Sequence, residues 1–323
     1  YRRVPLEMSF YRYQLIGRSL TLFILCFVLV ALTWLKPGWR RLTAAAPYAL
    51  LVPTALLAAG ITMRCIIRGR PPVTTLYETI LFTTAVCVAL AIAIELMNRR
   101  RIAVSLGAVL GVAGMFIANR YELKEGVDTM PSLVAVLDTN FWLSSHVTTI
   151  VMGYGAALLA AAIGHVYILG RVLRVRKNDD EVYAGIYRMT CGVMAFGLLF
   201  SVVGTVLGGI WANESWGRFW GWDPKENGAL MIVLWMLILF HARRGGYIQG
   251  LGFNMGAVVC GMVVAFSWWG VNLLGVGLHS YGFTSGIFRV LVGFYVLETL
   301  VVLLGCFVWL RDHGYLAPAE STP

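Results

Sequence analysis

Long apolar runs dominate this chain, and their length limits what it can fold into. A helix needs about 20 predominantly apolar residues to cross a bilayer, and nine runs approach or exceed that length. They lie at about 19–35, 45–63, 76–97, 102–118, 142–170, 187–211, 227–242, 251–274 and 287–310. The sequence therefore predicts an all-α fold, a polytopic transmembrane helical bundle of about nine spans in a lipid bilayer.

The charge composition supports a membrane protein rather than a nucleic-acid-binding one. Only 13% of the residues are charged and 59% are hydrophobic, whereas about 25% are charged in a soluble domain. The net charge is +10, but most Lys and Arg residues lie beside the ends of apolar runs, where they set topology. We therefore expect no nucleic-acid partner. A C-x-x-C-H motif is absent, so the chain is not itself a c-type cytochrome.

Basic residues in short loops predict the orientation of the spans. The loops rich in Lys and Arg lie at 36–41, 98–101, 171–177 and 243–244. Because such loops stay in the cytoplasm, the intervening loops at 64–75, 119–141, 212–226 and 275–286 are expected on the outer side. Arg64, Arg68 and Arg70 conflict with this assignment, because they fall in an outer loop.

The most distinctive short segment is WGRFWGWDPKE at 216–226, an aromatic and polar stretch between two apolar runs. The predicted topology brings His146 and His279 to the same face as this segment. Imidazole is a good ligand for haem iron, and indole rings can pack against a porphyrin. Tryptophan is also ordinary at membrane interfaces, and a lone histidine near a helix end is commonly a polar surface residue. The residues alone leave open a planar-cofactor site and an ordinary interfacial belt.

Three glutamates and one further histidine lie within apolar runs. Because charge inside a membrane is costly, we expect Glu78, Glu95 and Glu298 to be paired, ordinarily with arginine. Glu298 is the deepest of the three and the best candidate for a functional carboxylate. His165 is expected to have a structural role.

The segment at 216–226, continued by NGALMIVLW, resembles the tryptophan-rich WWD signature of the haem-handling superfamily of cytochrome c assembly proteins. That superfamily includes the CcsA (also called ResC), CcmC and CcmF families. The segment RGRPPVTTLYETILF at 68–82, and the order His146, aromatic loop, His241, His279, are similar to CcsA. The resemblance covers about residues 45–310. The N-terminal YRRVPLEMSFYRYQ is similar to the junction where CcsA follows CcsB in one fused CcsBA polypeptide.

The resemblance implies a role for individual residues. His146 and His279 would ligate the iron of haem b at an external site, and His241 would ligate haem within the membrane on its way across. The remaining implied haem-site residues belong to the signature: Trp216, Trp220, Trp222, Asp223 and Glu226. We assign no acid or base catalyst, because the bond-forming reactivity belongs to haem and to cysteine thiolates.

The function implied by the resemblance is that of a system II cytochrome c synthase subunit, a haem lyase that works together with CcsB. It would present haem at the outer face for thioether attachment to the C-x-x-C-H motif of apocytochrome c. The expected location is the bacterial inner membrane with the WWD loop on the periplasmic side, or a thylakoid membrane. Two alternatives remain open: a CcmC-type haem-delivery protein without ligation activity, and a proton or small-solute transporter using His165, His241 and Glu298 as a relay.

The resemblance also predicts the division of the chain. Residues 1–44 form an N-terminal segment with the first transmembrane helix. Residues 45–311 form the haem-handling transmembrane domain, with the WWD loop at 211–226. Residues 312–323 form a short C-terminal tail.

Overall fold

A computed structural model of the chain describes residues 3–125, 139–175, 180–277, 279 and 287–315. The helices are numbered in chain order. They are α1 (Val4–Tyr13), α2 (Leu15–Leu35), α3 (Arg40–Arg68), α4 (Leu76–Asn98), α5 (Ile102–Glu125), α6 (Asn140–Val172), α7 (Asp180–Trp216), α8 (Pro224–Arg244), α9 (Gly250–Trp268) and α10 (Ile287–Asp312). Within α6, Leu143–Val147 form a π-helical turn.

The predicted helical architecture is confirmed. Within the described ranges, nine helical segments are long and apolar enough to cross a membrane, with α1 and α2 forming the first. A left-handed Gln14, φ 44°, separates α1 from α2. The eighth span ends at Trp268 and continues as a 3-10 turn, Gly270–Leu274, rather than as α-helix to 274.

The fourth span is rich in glycine because α5 packs closely against its neighbours. A Cβ at Gly111 would lie 2.5 Å from the Phe23 ring of α2, and one at Gly114 would overlap Thr84 of α4. Small residues allow helix backbones in a membrane to approach each other. The glycines of α5 therefore allow this helix to pack closely against α2 and α4.

The chain folds into two compact units. Unit 1 contains Tyr1–Leu159 and Leu199–Gly221, and unit 2 contains Ala160–Leu198 and Trp222–Pro323. Helices α6 and α7 contribute residues to both units. The predicted domain boundaries at 44/45 and 311/312, which follow the family resemblance, stay a prediction.

In unit 1, two buried glutamates connect consecutive helices. Glu78 Oε1 lies 3.1 Å from Arg64 Nη2, and its Oε2 accepts the Thr74 backbone N–H at 3.0 Å. Glu95 accepts the backbone N–H groups of Arg101 and Val104 at 2.7 and 3.2 Å, at the start of α5. The arginine partner predicted for Glu78 is confirmed, whereas Glu95 binds backbone donors that a helix start leaves unsatisfied.

The Arg64–Glu78 pair also explains one of the basic residues that conflicted with the predicted orientation. The Arg64 side chain is only 2% exposed. Its charge is compensated inside the unit, so it does not act as an exposed basic loop residue of the kind that sets topology.

In unit 2, an apolar core formed by Ile168, Val258 and Val301 joins α6, α9 and α10. Near this core, His165 Nε2 lies 3.1 Å from Glu298 Oε2. Glu298 is thus paired with a histidine, not with the arginine that the sequence suggested. A single sequence shows that a buried carboxylate needs a partner, but not which distant residue supplies it.

Candidate functional site

The charged end of the WWD segment forms the start of α8. Asp223 is the N-cap residue, and its side chain accepts the Lys225 N–H at 2.9 Å. Glu226 Oε2 accepts the Asp223 N–H at 3.1 Å, and Pro224 occupies the first turn. This is a capping box, which satisfies backbone donors that the first helical turn leaves without partners. Asp223 and Glu226 therefore have a defined local role in addition to the role predicted for them.

Asp223 also contacts His279. Its Oδ1 lies 3.1 Å from His279 Nδ1, and its Oδ2 is 3.4 Å from the His279 backbone nitrogen. Gly277 has φ +92°, and a Cβ there would overlap Asp223 Oδ2. The chain can approach the carboxylate this closely only because position 277 carries no side chain. We name Asp223, Glu226, Gly277 and His279 the His279 cluster.

Burial lowers the pKa of His279 below its ordinary value, and the negative charge of Asp223 opposes this effect without cancelling it. The imidazole is therefore neutral at neutral pH. Neutral imidazole is the form that ligates metals. A carboxylate that engages one ring nitrogen of a histidine is the usual device that orients the other nitrogen towards a metal.

 Lys225 Nζ donates to the carbonyl oxygens of Trp268 and Ser267 at 2.6 and 3.3 Å, at the end of α9. The Arg218 guanidinium lies over the Trp216 ring, 5.8 Å from its centroid. Lys225 thus ties the start of α8 to the end of α9, where unsatisfied carbonyl groups attract a cation.

The tryptophans of the segment differ in their surroundings. Trp216 is the last residue of α7 and is half-buried, as is Trp220. Trp222 is 69% exposed and has φ +59°. A left-handed conformation is unfavourable for a bulky residue, and such outliers are concentrated at functional sites. The Asn227 side chain donates to the Trp222 carbonyl at 3.0 Å and helps to hold this conformation.

His146 lies in unit 1, in the π-helical turn of α6. Its Nδ1 is 2.7 Å from the Gly204 carbonyl oxygen of α7. A Cβ at Gly208 would lie 2.6 Å from His146 Cε1. The spacing Gly204-x-x-x-Gly208 thus opens a groove on α7 in which the imidazole fits.

Aromatic residues pack beside His146. The Trp211 ring meets the imidazole edge-on, with centroids 5.8 Å apart, and stacks on Trp142 at 6.4 Å. Trp142 Nε1 donates to Glu214 Oε2 at 2.9 Å. We name His146, Gly204, Gly208 and Trp211 the His146 cluster.

His241 lies in the last turn of α8, and its Nδ1 is 2.7 Å from the Leu237 carbonyl oxygen. The 21 residues of α8 span about 30 Å at the usual rise per residue. His241 is therefore separated from Asp223, at the other end of the same helix, by about the thickness of a bilayer core. The separation predicted from the sequence agrees with this geometry.

The structure groups the predicted residues by unit. His146, Trp216 and Trp220 belong to unit 1. The remaining predicted residues belong to unit 2: Trp222, Asp223, Glu226, His241 and His279. Sequence reasoning did not identify Gly204, Gly208 and Gly277 as supports for the histidines. Gly204 and Gly208 could have been found from the sequence by their Gly-x-x-x-Gly spacing. The approach of Gly277 to Asp223 is a tertiary contact, which the sequence does not indicate.

The fold and these clusters define a class of protein: an integral membrane protein of the multi-span helical type, with histidines oriented by backbone carbonyls and a capping carboxylate. The family described as cytochrome c assembly protein matches residues 73–279, more than half of the chain. The chain belongs to this family, and within it to the CcsA cytochrome c biogenesis proteins. Its role lies in cytochrome c maturation.

Curated relatives agree with this assignment. The chain is similar to the cytochrome c biogenesis protein CcsA of Synechococcus sp. (strain CC9902), with 28% identity over 76% of this chain and 88% of that protein. CcsA of Parasynechococcus marenigrum (strain WH8102) is 27% identical over 84% of this chain and 97% of its own length. CcsA of Chlamydomonas reinhardtii is 28% identical over 72% of this chain and 67% of its own length.

Proposed function

We propose that this protein binds haem b as its substrate and presents it for covalent attachment to apocytochrome c. In this proposal His146 and His279 are haem-iron ligands on the outer side of the membrane, and His241 is a ligand on the route across it. The observation that carries the proposal is the His279 cluster, in which the carboxylate that caps α8 lies 3.1 Å from Nδ1 of a mostly buried imidazole.

The Nδ1 contacts determine which nitrogen would bind iron. A carbonyl oxygen can only accept a hydrogen bond, so Nδ1 of His146 and of His241 carries the proton and donates it. In a neutral imidazole the proton-free nitrogen is then Nε2. For His279 the partner is a carboxylate, which also increases the basicity of a metal-bound imidazole. All three rings are thus prepared to ligate through Nε2.

The aromatic residues supply the surroundings that haem needs. Trp211 lies beside His146, and the strained, exposed Trp222 directly precedes the capping residue Asp223. We propose that Trp216, Trp220 and Trp222 contact the porphyrin and shield it from water, while Asp223 and Glu226 fix the His279 cluster. Burial of a flat aromatic ligand against indole rings is favourable by area and by ring geometry.

The chemistry proposed for the bound haem is addition of two cysteine thiols to its vinyl groups. In each addition the sulfur forms a bond to one vinyl carbon and the thiol proton goes to the other, so the step consumes no oxidant or reductant. The protein contributes binding and orientation, which lower the entropic part of the barrier. The histidine of the C-x-x-C-H motif would then replace one protein ligand. CcsB is proposed as the partner that completes the synthase.

Haem spectra of purified variants test the ligands. We expect wild type to show a low-spin haem spectrum. We expect His146→Ala and His279→Ala each to lose outer-site haem, with partial recovery on addition of imidazole, and His241→Ala to reduce the haem that reaches the outer site. His313→Ala is the matched control, because His313 Nδ1 also contacts a carbonyl four residues earlier, Trp309 O at 2.8 Å. Spectra of the three site variants that equal the wild-type spectrum would refute the assignment.

A second experiment separates ligation from delivery. Co-expression with CcsB and an apocytochrome should yield haem that resists acid–acetone extraction from the cytochrome. Transfer of haem that remains extractable would instead favour the delivery function of the CcmC type. Proton flux through reconstituted protein in the absence of haem would favour the transporter alternative.

A further inference from the structure

One loop of unit 2 is held at both ends by the first turn of α8. The loop leaves α9 at Trp268, passes through the 3-10 turn Gly270–Leu274 and reaches His279. At the far end of the loop, Asp223 Oδ1 lies 3.1 Å from His279 Nδ1. At its near end, Lys225 Nζ donates to the Trp268 carbonyl oxygen at 2.6 Å. Because Asp223 and Lys225 belong to the same turn, one short segment determines both where the loop begins and where the imidazole is held.

The acceptors of Lys225 are atoms of the main chain. Its ammonium group donates to the carbonyl oxygens of Ser267 and Trp268, the last two residues of α9. The Asn272 side chain, within the 3-10 turn, donates to the same Trp268 oxygen at 3.4 Å. Lys225 therefore holds the backbone at the point where the helix ends and the loop begins, so its effect is transmitted along the chain.

The loop contains glycines that give it little intrinsic rigidity. Gly275 and Gly277 adopt φ +64° and +92°, and glycine loses more conformational freedom on folding than any other residue. Fixing each residue of a chain in one conformation costs free energy. The loop keeps His279 in one position only if the contacts at its two ends compensate this cost. Asp223 supplies the contact at one end, and Lys225 supplies the contact at the other.

A second contact keeps α8 and α9 together independently of Lys225. The Ser267 hydroxyl donates to the Gly228 carbonyl oxygen at 2.8 Å, and a Cβ at Gly228 would lie 2.9 Å from Ser267 Cβ. Small residues allow two membrane helices to approach this closely. Loss of the Lys225 ammonium group should therefore leave the packing of the two helices intact. It should release only the last carbonyl groups of α9 and the loop that follows them.

We propose that Lys225 is a positioning residue for His279. Lys225 fixes the point from which the loop departs, and Asp223 holds the imidazole where the loop returns, so that Nε2 keeps one position relative to α8. Lys225 acts through the backbone of the loop and makes no contact with haem. This inference rests on the proposed function, in which His279 is a ligand of the haem iron.

Hydrogen–deuterium exchange of the full chain, purified in detergent and free of haem, tests the positioning directly. Methionine at position 225 keeps an unbranched side chain but has no charge and no donor. We expect Lys225→Met to exchange the backbone amides of residues 270–277 about tenfold faster than wild type, since hydrogen bonds from a charged donor are among the stronger ones. Lys225→Arg keeps the charge and the donors and should restore slow exchange. Equal exchange in wild type and Lys225→Met would overturn the proposal, whatever the haem affinity.

Haem titration of the same variants separates this proposal from the proposed function. We expect Lys225→Met to weaken outer-site haem binding about tenfold, the lower end of the usual cost of losing a residue that supports a metal ligand, and Lys225→Arg to restore it. Lys36→Met is the control, because Lys36 is an exposed lysine of unit 1 that lies over the Trp39 ring, 4.7 Å from its centroid. Wild type that binds no haem would refute the proposed function. Wild type and Lys225→Met that bind haem equally well would refute the positioning role alone.

Lys225→Gln keeps the proposal testable if Lys225→Met does not fold. Its amide nitrogen lies one bond short of the Lys225 Nζ position and carries no charge. We expect exchange of the loop amides between the rates of wild type and of a loop without its anchor, and a smaller loss of haem affinity. Wild-type exchange together with wild-type haem affinity in folded Lys225→Gln would overturn the proposal.

Discussion

Asp223 contacts His279 with the same oxygen that caps α8: Oδ1 lies 3.1 Å from His279 Nδ1 and accepts the Lys225 N–H at 2.9 Å. One buried carboxylate thus joins the first turn of a membrane helix to a histidine in a later loop. The helix end fixes the carboxylate, and the carboxylate fixes the imidazole. Substitutions of this residue can therefore separate the capping function from the electrostatic one.

We expect Asp223→Asn to keep the helix cap and to weaken haem binding about 10- to 100-fold, the usual cost of losing the partner of a ligating histidine. Asparagine is as good an N-cap as aspartate, so the free energy of unfolding should change little. Haem titration followed by absorption measures the affinity. Glu226→Gln is the control, because glutamine can still accept the Asp223 N–H. Equal affinities in both variants would show that the charge of Asp223 does not prepare His279.

Gly208→Ala tests the groove that holds His146. The new Cβ would lie 2.6 Å from His146 Cε1, closer than van der Waals contact allows, so the imidazole must move. We expect the outer-site haem spectrum to weaken or become high-spin. Gly192→Ala on the same helix introduces a Cβ that meets nothing within 4 Å and should leave the spectrum unchanged. A wild-type spectrum for Gly208→Ala would show that the position of His146 does not depend on this groove.

Gly277→Ala tests the approach of the last loop to Asp223. Alanine at φ +92° is strained, and its Cβ would also overlap Asp223 Oδ2. Gly246→Ala shares only the backbone strain, because Gly246 has φ +78° but a Cβ there meets nothing within 4 Å. We expect Gly246→Ala to cost about 1 kcal/mol in unfolding free energy and to bind haem normally. Gly277→Ala should bind haem weakly, and a haem affinity equal to that of Gly246→Ala would contradict the proposed support.

The sequence predicted the helices well because a membrane span is a local property. The length and apolar composition of each run are sufficient to identify it, and the position of His241 relative to Asp223 follows from the length of α8. The capping box was also readable, since Asp223, Pro224 and Glu226 have the spacing of an N-cap, first-turn proline and third-position glutamate.

The contacts that orient the histidines could not be predicted from the sequence, because they join residues that are distant in the chain. Asp223 and His279 are 56 positions apart, and Glu298 pairs with His165 rather than with an arginine. Such partners are chosen by the packing of helices, which one sequence does not specify. Arg64 shows the converse: the orientation rule treats every loop arginine alike, although this one is buried with Glu78.

The His165–Glu298 pair leads to a prediction about stability. His165 Nδ1 is 2.8 Å from the Ala161 carbonyl oxygen and must carry a proton, because a carbonyl oxygen only accepts. The 3.1 Å contact between Nε2 and Glu298 Oε2 then also requires a proton, held either by the imidazole or by the carboxyl group. Removal of one side chain leaves the other polar group in an apolar surrounding without its partner, which lowers the free energy of unfolding.

We therefore expect His165→Ala and Glu298→Ala each to lower the thermal stability of the detergent-solubilised protein. The double variant should lose less than the sum of the two single losses, with a coupling energy of about 1 kcal/mol or more. Haem binding should persist in all three variants, because neither residue belongs to the His146 cluster or the His279 cluster. Additive losses would show that the pair is not coupled, and loss of haem at unchanged stability would assign the pair to the haem route instead of to the packing of α6 against α10.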